Sequence, residues 1–423
     1  MGSLARQLRF VFLGTVLVVA AFSTGIDFLF FLVYLLGGLL LASWFYARRG
    51  LLGLRAGYHV LNPRAQVGDV LQAVYRIDNR SSWGKPWVEL WNDSTLPAPL
   101  PGRAIGVQAR GSRQWLAKVT LLRRGSYRLG ALRVRTGDPF GLFTSEMVVG
   151  QPTWVVVFPK VEALPHWRLP PSPVDGTSPS RHRFEAASPL VSSVRPYVRG
   201  DAINRIHWLT SIRHGELHVK EFDLEQTADL WMLLDLDRTA HAGTGDTASV
   251  ETAVTAAASI AVQTLGENRA VGLTVSSRRQ HVLTPDRGTR VEQKILHLLA
   301  NVQADGTRPL AEVLVSSLLP QMRRGMTLCI ITGSTDREWV RALASLRRRG
   351  VGTVVVLLDR ASFARKDEED GTAELAAIRH ALAEYDIGYH LVSAGDNLPE
   401  ALGGRLAGRR RRVRAATREE LNA

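Results

Sequence analysis

The chain has 423 residues, 45% of them hydrophobic, and 53 Lys and Arg against 39 Asp and Glu give a formal net charge of +14. That length exceeds one compact domain of ~150 residues, and the basic balance leaves anionic lipid, nucleic acid or an acidic protein as partner classes. The single cysteine, Cys329 in the apolar run MTLCIITG, excludes a disulfide framework and a thiolate metal site and fits a reducing compartment. From the N-terminus, Phe10 to Ile26 and Phe28 to Ala47 are uncharged and separated only by Asp27. Stretches near the ~20 helical residues that cross a bilayer core predict two spans joined by the STGID turn, a transmembrane hairpin over 1–50. Arg6 and Arg9 precede the pair and Arg48, Arg49 and Arg55 follow it, which places both ends in the cytoplasm and the protein in the cell inner membrane. The competing reading, a signal peptide cleaved near Ala20 and Ala21, is weakened by the second span that follows at once.

From 55 to 164 the runs DVLQAVYRIDN, PWVELWND, SRQWLAKVTLL, SYRLGALRVRT and PTWVVVFPK alternate apolar and polar residues between turn formers. They predict an all-β sandwich of immunoglobulin-like type. Within it TGDPFGLF reads as a turn whose Phe140, Leu142 and Phe143 plug the sandwich. Residues 165–227 read as a proline- and serine-rich linker followed by a dense motif, VRPYVRGDAINRIHWLTSIRHGELHVKEF.

From 228 to 403 Val-, Ile- and Leu-rich strands such as DLWMLLDLD, MTLCIITG and VGTVVVLLD alternate with amphipathic helices, which predicts a doubly wound α/β domain with a mostly parallel sheet. Residues 404–423 form a basic tail suited to an anionic leaflet and, lacking interleaved aromatics, not to nucleic acid.

Chemistry has few footholds. GTGDTA, Gly243 to Ala248, spells a dinucleotide fingerprint, but RTAHA separates it from the strand end where its glycines would have to turn. HGELH offers His214, Glu216 and His218 on one face if the segment is a strand, one ligand short of a zinc site. No Walker A or G-x-S-x-G sequence occurs. No catalytic residue is assigned; the rival to a binding protein is a metal- or nucleotide-dependent enzyme using strand-end carboxylates.

Two resemblances add to this. The strand-end run DLDRT, Thr307 in ADGTRPL and ITGSTD resemble the metal-ion-dependent adhesion site of von Willebrand factor A domains. The likeness implies a Mg²⁺ set of Asp235, Asp237, Thr239, Thr307 and Asp336, oxygen donors that a hard cation requires. Asp237 stands where a serine belongs, and Gly333 where a later aspartate is expected. Arg195, Tyr197, Gly200, Asp201, Ile206, His207, Trp208, Ser211, Arg213, Gly215 and Leu217, with DPFGLF upstream and the apolar hairpin before it, resemble the bacterial membrane family designated domain of unknown function fifty-eight. That family is typically associated with MoxR-type AAA+ ATPases. The resemblance implies a non-enzymatic, membrane-anchored adaptor whose von Willebrand A-like domain binds such an ATPase in envelope-related or complex assembly. Within the motif, Arg199 and Arg205, with Arg195 or Arg213, surround Asp201 with a composition suited to an ion-paired clasp docking the linker onto the α/β domain, or to an exposed basic surface for an acidic partner loop or phosphate, while Ile206 and Trp208 are expected to bury.

Overall fold

The computed structural model describes residues 2–170, 191–198, 203, 206–222, 229–364 and 371–408. The chain divides into two compact units, Met1–Val161 with Gln293–Val302 and Glu162–Glu292 with Gln303–Ala423.

The first unit begins with helices α1 (Gly2–Thr24) and α2 (Asp27–Gly50). Gly25, at φ +67°, makes the reversal between them, a conformation that favours glycine. The Phe22 and Phe30 rings meet edge to face at 5.2 Å. α2 is long and apolar enough to cross a membrane, whereas the apolar helical stretch Phe12–Thr24 is shorter than a span. The strands are β1 (Leu54–Val60), β2 (Arg64–Gln66), β3 (Val70–Asn79), β4 (Lys85–Ser94), β5 (Arg103–Val107), β6 (Ser112–Thr120), β7 (Gly125–Gly137), β8 (Thr144–Val149) and β9 (Thr153–Phe158). One sheet runs β1-β3-β6, the other β2-β9-β7-β4-β5 with β8 on β7. Alternation explains the core. Leu71, Ala73, Tyr75 and Ile77 of β3 turn inward against Val88 and Leu90 of β4, Leu132 and Val134 of β7, and Val155 and Val157 of β9. All five expected strands form. β1, β2, β5 and β8, shorter or with a mixed pattern, were not expected. The DPFGLF expectation needs correction: Leu142 is buried, but Phe140 is 56% exposed. Asp138 explains this, its carboxylate accepting from Phe140 N at 2.9 Å and Phe143 N at 2.6 Å, which winds the turn so that Phe140 points out.

In the second unit most of the expected linker lies outside the described residues, and the motif segment after it carries strands and a helix. β10 (Val191–Pro196) pairs antiparallel with β11 (His218–Phe222), and α3 (Trp208–His214) lies between them in sequence. The α/β domain then follows as β12 (Leu230–Asp235), α4 (Ser249–Gly266), β13 (Val271–Ser276), β14 (Gln280–Asp286), α5 (Thr289–Asn301, grouped from Gln293 on with the first unit), α6 (Leu310–Val313), β15 (Thr327–Thr332), α7 (Glu338–Arg348), β16 (Gly352–Leu358), α8 (Arg360–Phe363), α9 (Thr372–Glu384), β17 (Gly388–Val392) and α10 (Leu398–Gly403). The sheet order is β14-β13-β12-β15-β16-β17, parallel except for β14 at the edge. β12, β13, β15 and β16 are buried at every position, the reason they read as continuous apolar runs. Trp339, Leu343, Ile378 and Leu382 pack against Leu233, Ile330 and Val355 in the core on one face.

Candidate functional site

In an open α/β sheet the order reverses between two neighbouring strands, and ligands sit beyond their carboxyl ends. Here those strands are β12 and β15, with Asp235 closing one and Thr332 the other. Asp235 is completely buried. Its Oδ2 accepts from Thr332 Oγ1 at 2.7 Å and its Oδ1 from Asp237 N at 3.1 Å. Thr332 Oγ1 in turn accepts from Ser334 N at 2.9 Å. Burial pushes the Asp235 carboxyl up to about 6, against the opposing pull of the Thr332 hydroxyl and the Asp237 amide.

Around Asp235, a bridge between Asp237 and Gly306 sets the loop of Asp237 and Thr239 beside the one that carries Thr307, and the Asp237 and Asp336 side chains hold their own loops. Asp237 Oδ1 accepts from both the amide and the hydroxyl of Thr239, each at 2.9 Å. Asp336 Oδ1 accepts from Glu338 N at 3.0 Å, at the start of α7. Thr307 is exposed, next to Gly306, whose backbone pairs with Leu236 and Arg238. At Gly333 a Cβ would lie 2.3 Å from the Ala240 carbonyl oxygen, so the position of the missing aspartate is filled by backbone. Among the described residues no group of three or more His, Cys, Asp or Glu could hold a metal ion. Asp235, Asp237 and Asp336 each accept hydrogen bonds from their own loops.

Sequence reasoning missed the closure of this strand end by His241 and Ser249. His241 Nε2 donates to the Asp235 carbonyl at 2.8 Å, and its Nδ1 lies 3.0 Å from Ser249 Oγ, which accepts from Ala242 N. The only signal was a buried-type serine opening the alanine-rich α4. Beside it, beyond β15 and β16, lies a cavity of about 450 Å³ lined by Ser334, Thr335, Arg360 and Glu374. Its polar groups hold loops together: Thr335 Oγ1 donates to Glu374 at 3.0 Å, and Arg360 donates to the Thr239 carbonyl at 2.8 Å. The GTGDTA run does not open a helix at a strand end. Gly245–Thr247 form a short 3₁₀ turn, and α4 starts at Ser249. Cys329 is fully buried and its thiol is pushed up to about 12, far from a nucleophile's range.

The second candidate is the motif segment. Arg199, Gly200, Asp201 and Arg205 lie outside the described residues. Ile206 is buried as expected and forms a bridge with Val219. The expectation for Trp208 is corrected. It opens α3 instead of lying in an extended strand, and is 60% exposed. His207 makes the helix start, its Nδ1 accepting from Thr210 N at 3.2 Å. His214 ends the helix and Gly215, left-handed at φ +71°, stops it, so HGELH is not one strand. His218 begins β11, its ring 5.4 Å from that of His214, and its Nδ1 is 2.9 Å from the Glu216 carbonyl; the expected face of three ligands does not form. Ser211, buried, accepts from His218 N at 2.9 Å and donates to the His207 carbonyl at 3.0 Å, tying α3 to β11. Arg195 Nη1 donates to the Pro196 carbonyl at 3.1 Å, Tyr197 N donates to the Leu217 carbonyl at 2.7 Å, and Arg213 is exposed in the last turn of α3. The segment also displays large apolar side chains beside the exposed Arg213, His214 and Glu216: Val198, Ile203, Trp208, Leu209, Ile212 and Leu217 are all exposed.

Comparison with known proteins falls on this segment and the sheet that follows. Residues 193–367 match the family described as Protein of unknown function DUF58. A Bacillus subtilis relative, Uncharacterized protein YeaD, is 25% identical over 259 residues, covering 61% of each chain. Uncharacterized protein Rv1480 of Mycobacterium tuberculosis is 26% identical over 169 residues, 39% of this chain and 53% of its own. The chain thus spans less than two thirds of either relative's length. Among solved structures, an aerotolerance-related membrane protein from Bacteroides fragilis aligns at 16% identity and TM-score 0.28, over 41% of this chain and 94% of that one. The CARDB domain of the PF1109 protein from Pyrococcus furiosus aligns at 11% identity and TM-score 0.19, over 25% of this chain and 91% of that one. At such scores the likeness carries no argument, and the fold rests on the strand registers above. The motif residues from Arg195 to Leu217 lie within the stretch, residues 193–367, over which the chain is similar to the DUF58 family.

Proposed function

We propose that the protein is a membrane-anchored adaptor without catalysis of its own, and that its α/β unit binds a partner protein through the motif segment around α3. The observation that carries this reading is the exposure of Trp208, Leu209 and Ile212 on one short helix, Ile212 at 78%. Residues 208 and 212 are one turn apart and 209 and 212 nearly so, which gives one apolar face. A cluster of large apolar side chains left in water marks an interaction site. The strand order with one antiparallel edge supports assigning the domain to the von Willebrand A-like type. The closure of Asp235 and Asp237 by their own loop supports binding rather than metal-dependent catalysis. The partner we propose is a MoxR-type AAA+ ATPase, which the family resemblance implies. Anchoring by α1 and α2 with both ends in the cytoplasm is supported by Arg48 and Arg49 in the last turn of α2 and by Arg55 after it.

The test is binding of the full chain, reconstituted in lipid nanodiscs, to the purified AAA+ ATPase of the same cell. Trp208→Ala and Ile212→Ala are expected to weaken binding at least about ten-fold, in line with truncation of buried anchors. Equal binding by the variants, or none by the parent chain, would overturn the reading.

A further inference from the structure

Four connections meet at one end of the β-sandwich. β1 starts at Leu54, directly after α2. Leu54 pairs with Asn79 at the end of β3, Lys85 at the start of β4 pairs with Val107 at the end of β5, and Glu89 of β4 pairs with Arg135 of β7. Residues 80–84, 108–111 and 138–143 therefore all turn at the end where α2 enters.

Contacts hold these turns to the helix exit. A Cβ on Gly50 would lie 2.5 Å from Thr136 Cγ2, so the last turn of α2 sits against β7. Arg80 N donates to the Gly53 carbonyl at 2.7 Å, and Arg110 N to the Ser81 carbonyl at 3.0 Å. Both aromatic turns are stiff. Asp138 binds two amides of its own turn, and Asn79 Nδ2 donates to the Trp83 carbonyl at 2.8 Å. Yet each stiff turn presents one large aromatic to the outside, Trp83 at 60% exposure and Phe140 at 56%, with Leu52 also exposed. Arg48, Arg49, Arg80 and Arg110 are exposed at the same end.

Apolar and aromatic side chains ringed by arginines, at the level where an apolar helix ends, match a headgroup layer, whose acyl boundary takes the rings and whose phosphates take the cations. We propose that this end of the sandwich is itself a bilayer-contacting rim. Trp83, Leu52 and Phe140 enter the boundary of the leaflet that α2 leaves, and the arginines engage its anionic headgroups. The proposal rests on the reading of α2 as a membrane span.

The experiment uses the full chain in vesicles of phosphatidylethanolamine and phosphatidylglycerol, with single substitutions Trp83→Cys, Phe140→Cys, Tyr34→Cys and Trp154→Cys each carrying an environment-sensitive fluorophore. Cys329 is buried and does not compete for the label. Tyr34 lies within α2, and Trp154 is 62% exposed on β9, opposite Arg128 near the other end of β7. Lipids carrying a shallow nitroxide should quench positions 83 and 140, a deep nitroxide should quench position 34, and neither should quench 154. Quenching at 34 with 83 and 140 no more quenched than 154 would overturn the rim and leave the span standing. No quenching at 34 would overturn the span and the rim with it. Replacing phosphatidylglycerol by phosphatidylcholine should lower shallow quenching at 83 and 140 about two-fold; no change would strike the arginines from the rim.

Discussion

Lys85 Nζ donates to the carbonyl of Arg49 at 3.0 Å, so a side chain of the β-sandwich sits on the C-terminal turn of α2. Lys85 is only 7% exposed, and burial holds its ammonium below the ordinary lysine range. A cation at a helix C-terminus meets the negative end of the helix dipole, and its hydrogen bond adds to the one the Arg49 carbonyl accepts from Leu52 N at 3.1 Å. Lys85→Met keeps most of the stem and removes the donor. It should cost about 1–2 kcal/mol and lower the thermal midpoint of the full chain in detergent micelles. An unchanged midpoint would show that the bond does not hold the sandwich to the helix.

Asp235 makes a pH prediction with a definite sign. Its ordinary value is 3.8 and its folded value about 6, so between these the folded chain holds a proton that the unfolded chain has released. The contribution is fully present below about pH 4 and is lost as pH rises through about 6, a fall of up to about 3 kcal/mol. Asp235→Asn carries no charge and should remove that slope. Urea midpoints of parent and variant at several pH values between these limits and neutrality check it. A parent-minus-variant difference that stays constant would mean burial does not dominate the carboxyl.

The doubly wound unit was legible because buried parallel strands leave an unbroken apolar run, as in LWMLLD, TLCIIT and GTVVVLL. The edge strand β14 was not, since QHVLTPD is mostly solvent-facing and contains Pro285, which reads as a loop. The von Willebrand-like carboxylate pattern was visible as letters. Its closure was not, because it depends on the Ala240 carbonyl meeting Gly333 far along the chain and on how the loop folds His241 and Ser249 back onto the strand end. The motif segment failed differently: a local helix with a histidine cap and a left-handed Gly215 replaced the expected extended strand and carried Trp208 outward.

Gly333 turns that closure into a test. With the Ala240 carbonyl 2.3 Å from where a Cβ would stand, Gly333→Ala requires the 240 loop to shift and should cost about 1–3 kcal/mol. Gly333→Asp restores the letter of the adhesion-site pattern but should destabilise the chain as much or more, and calorimetric titration should show no gain in Mg²⁺ binding. A tight new Mg²⁺ isotherm in that variant would show that the donors can open.

Display and scaffolding separate on α3 itself. Trp208 and Ile212 stand in solvent, so truncating either to alanine should change stability by less than about 0.5 kcal/mol while weakening partner binding. Ser211, one residue away, is buried and gives His218 N its acceptor. Ser211→Ala leaves that amide without its acceptor and should cost about 1–2 kcal/mol, loosening α3 from β11. Hydrogen exchange at the His218 amide should accelerate in Ser211→Ala and stay unchanged in Trp208→Ala and Ile212→Ala. If all three variants lose stability together, α3 packs against the body of the protein and the apolar face is not a free surface.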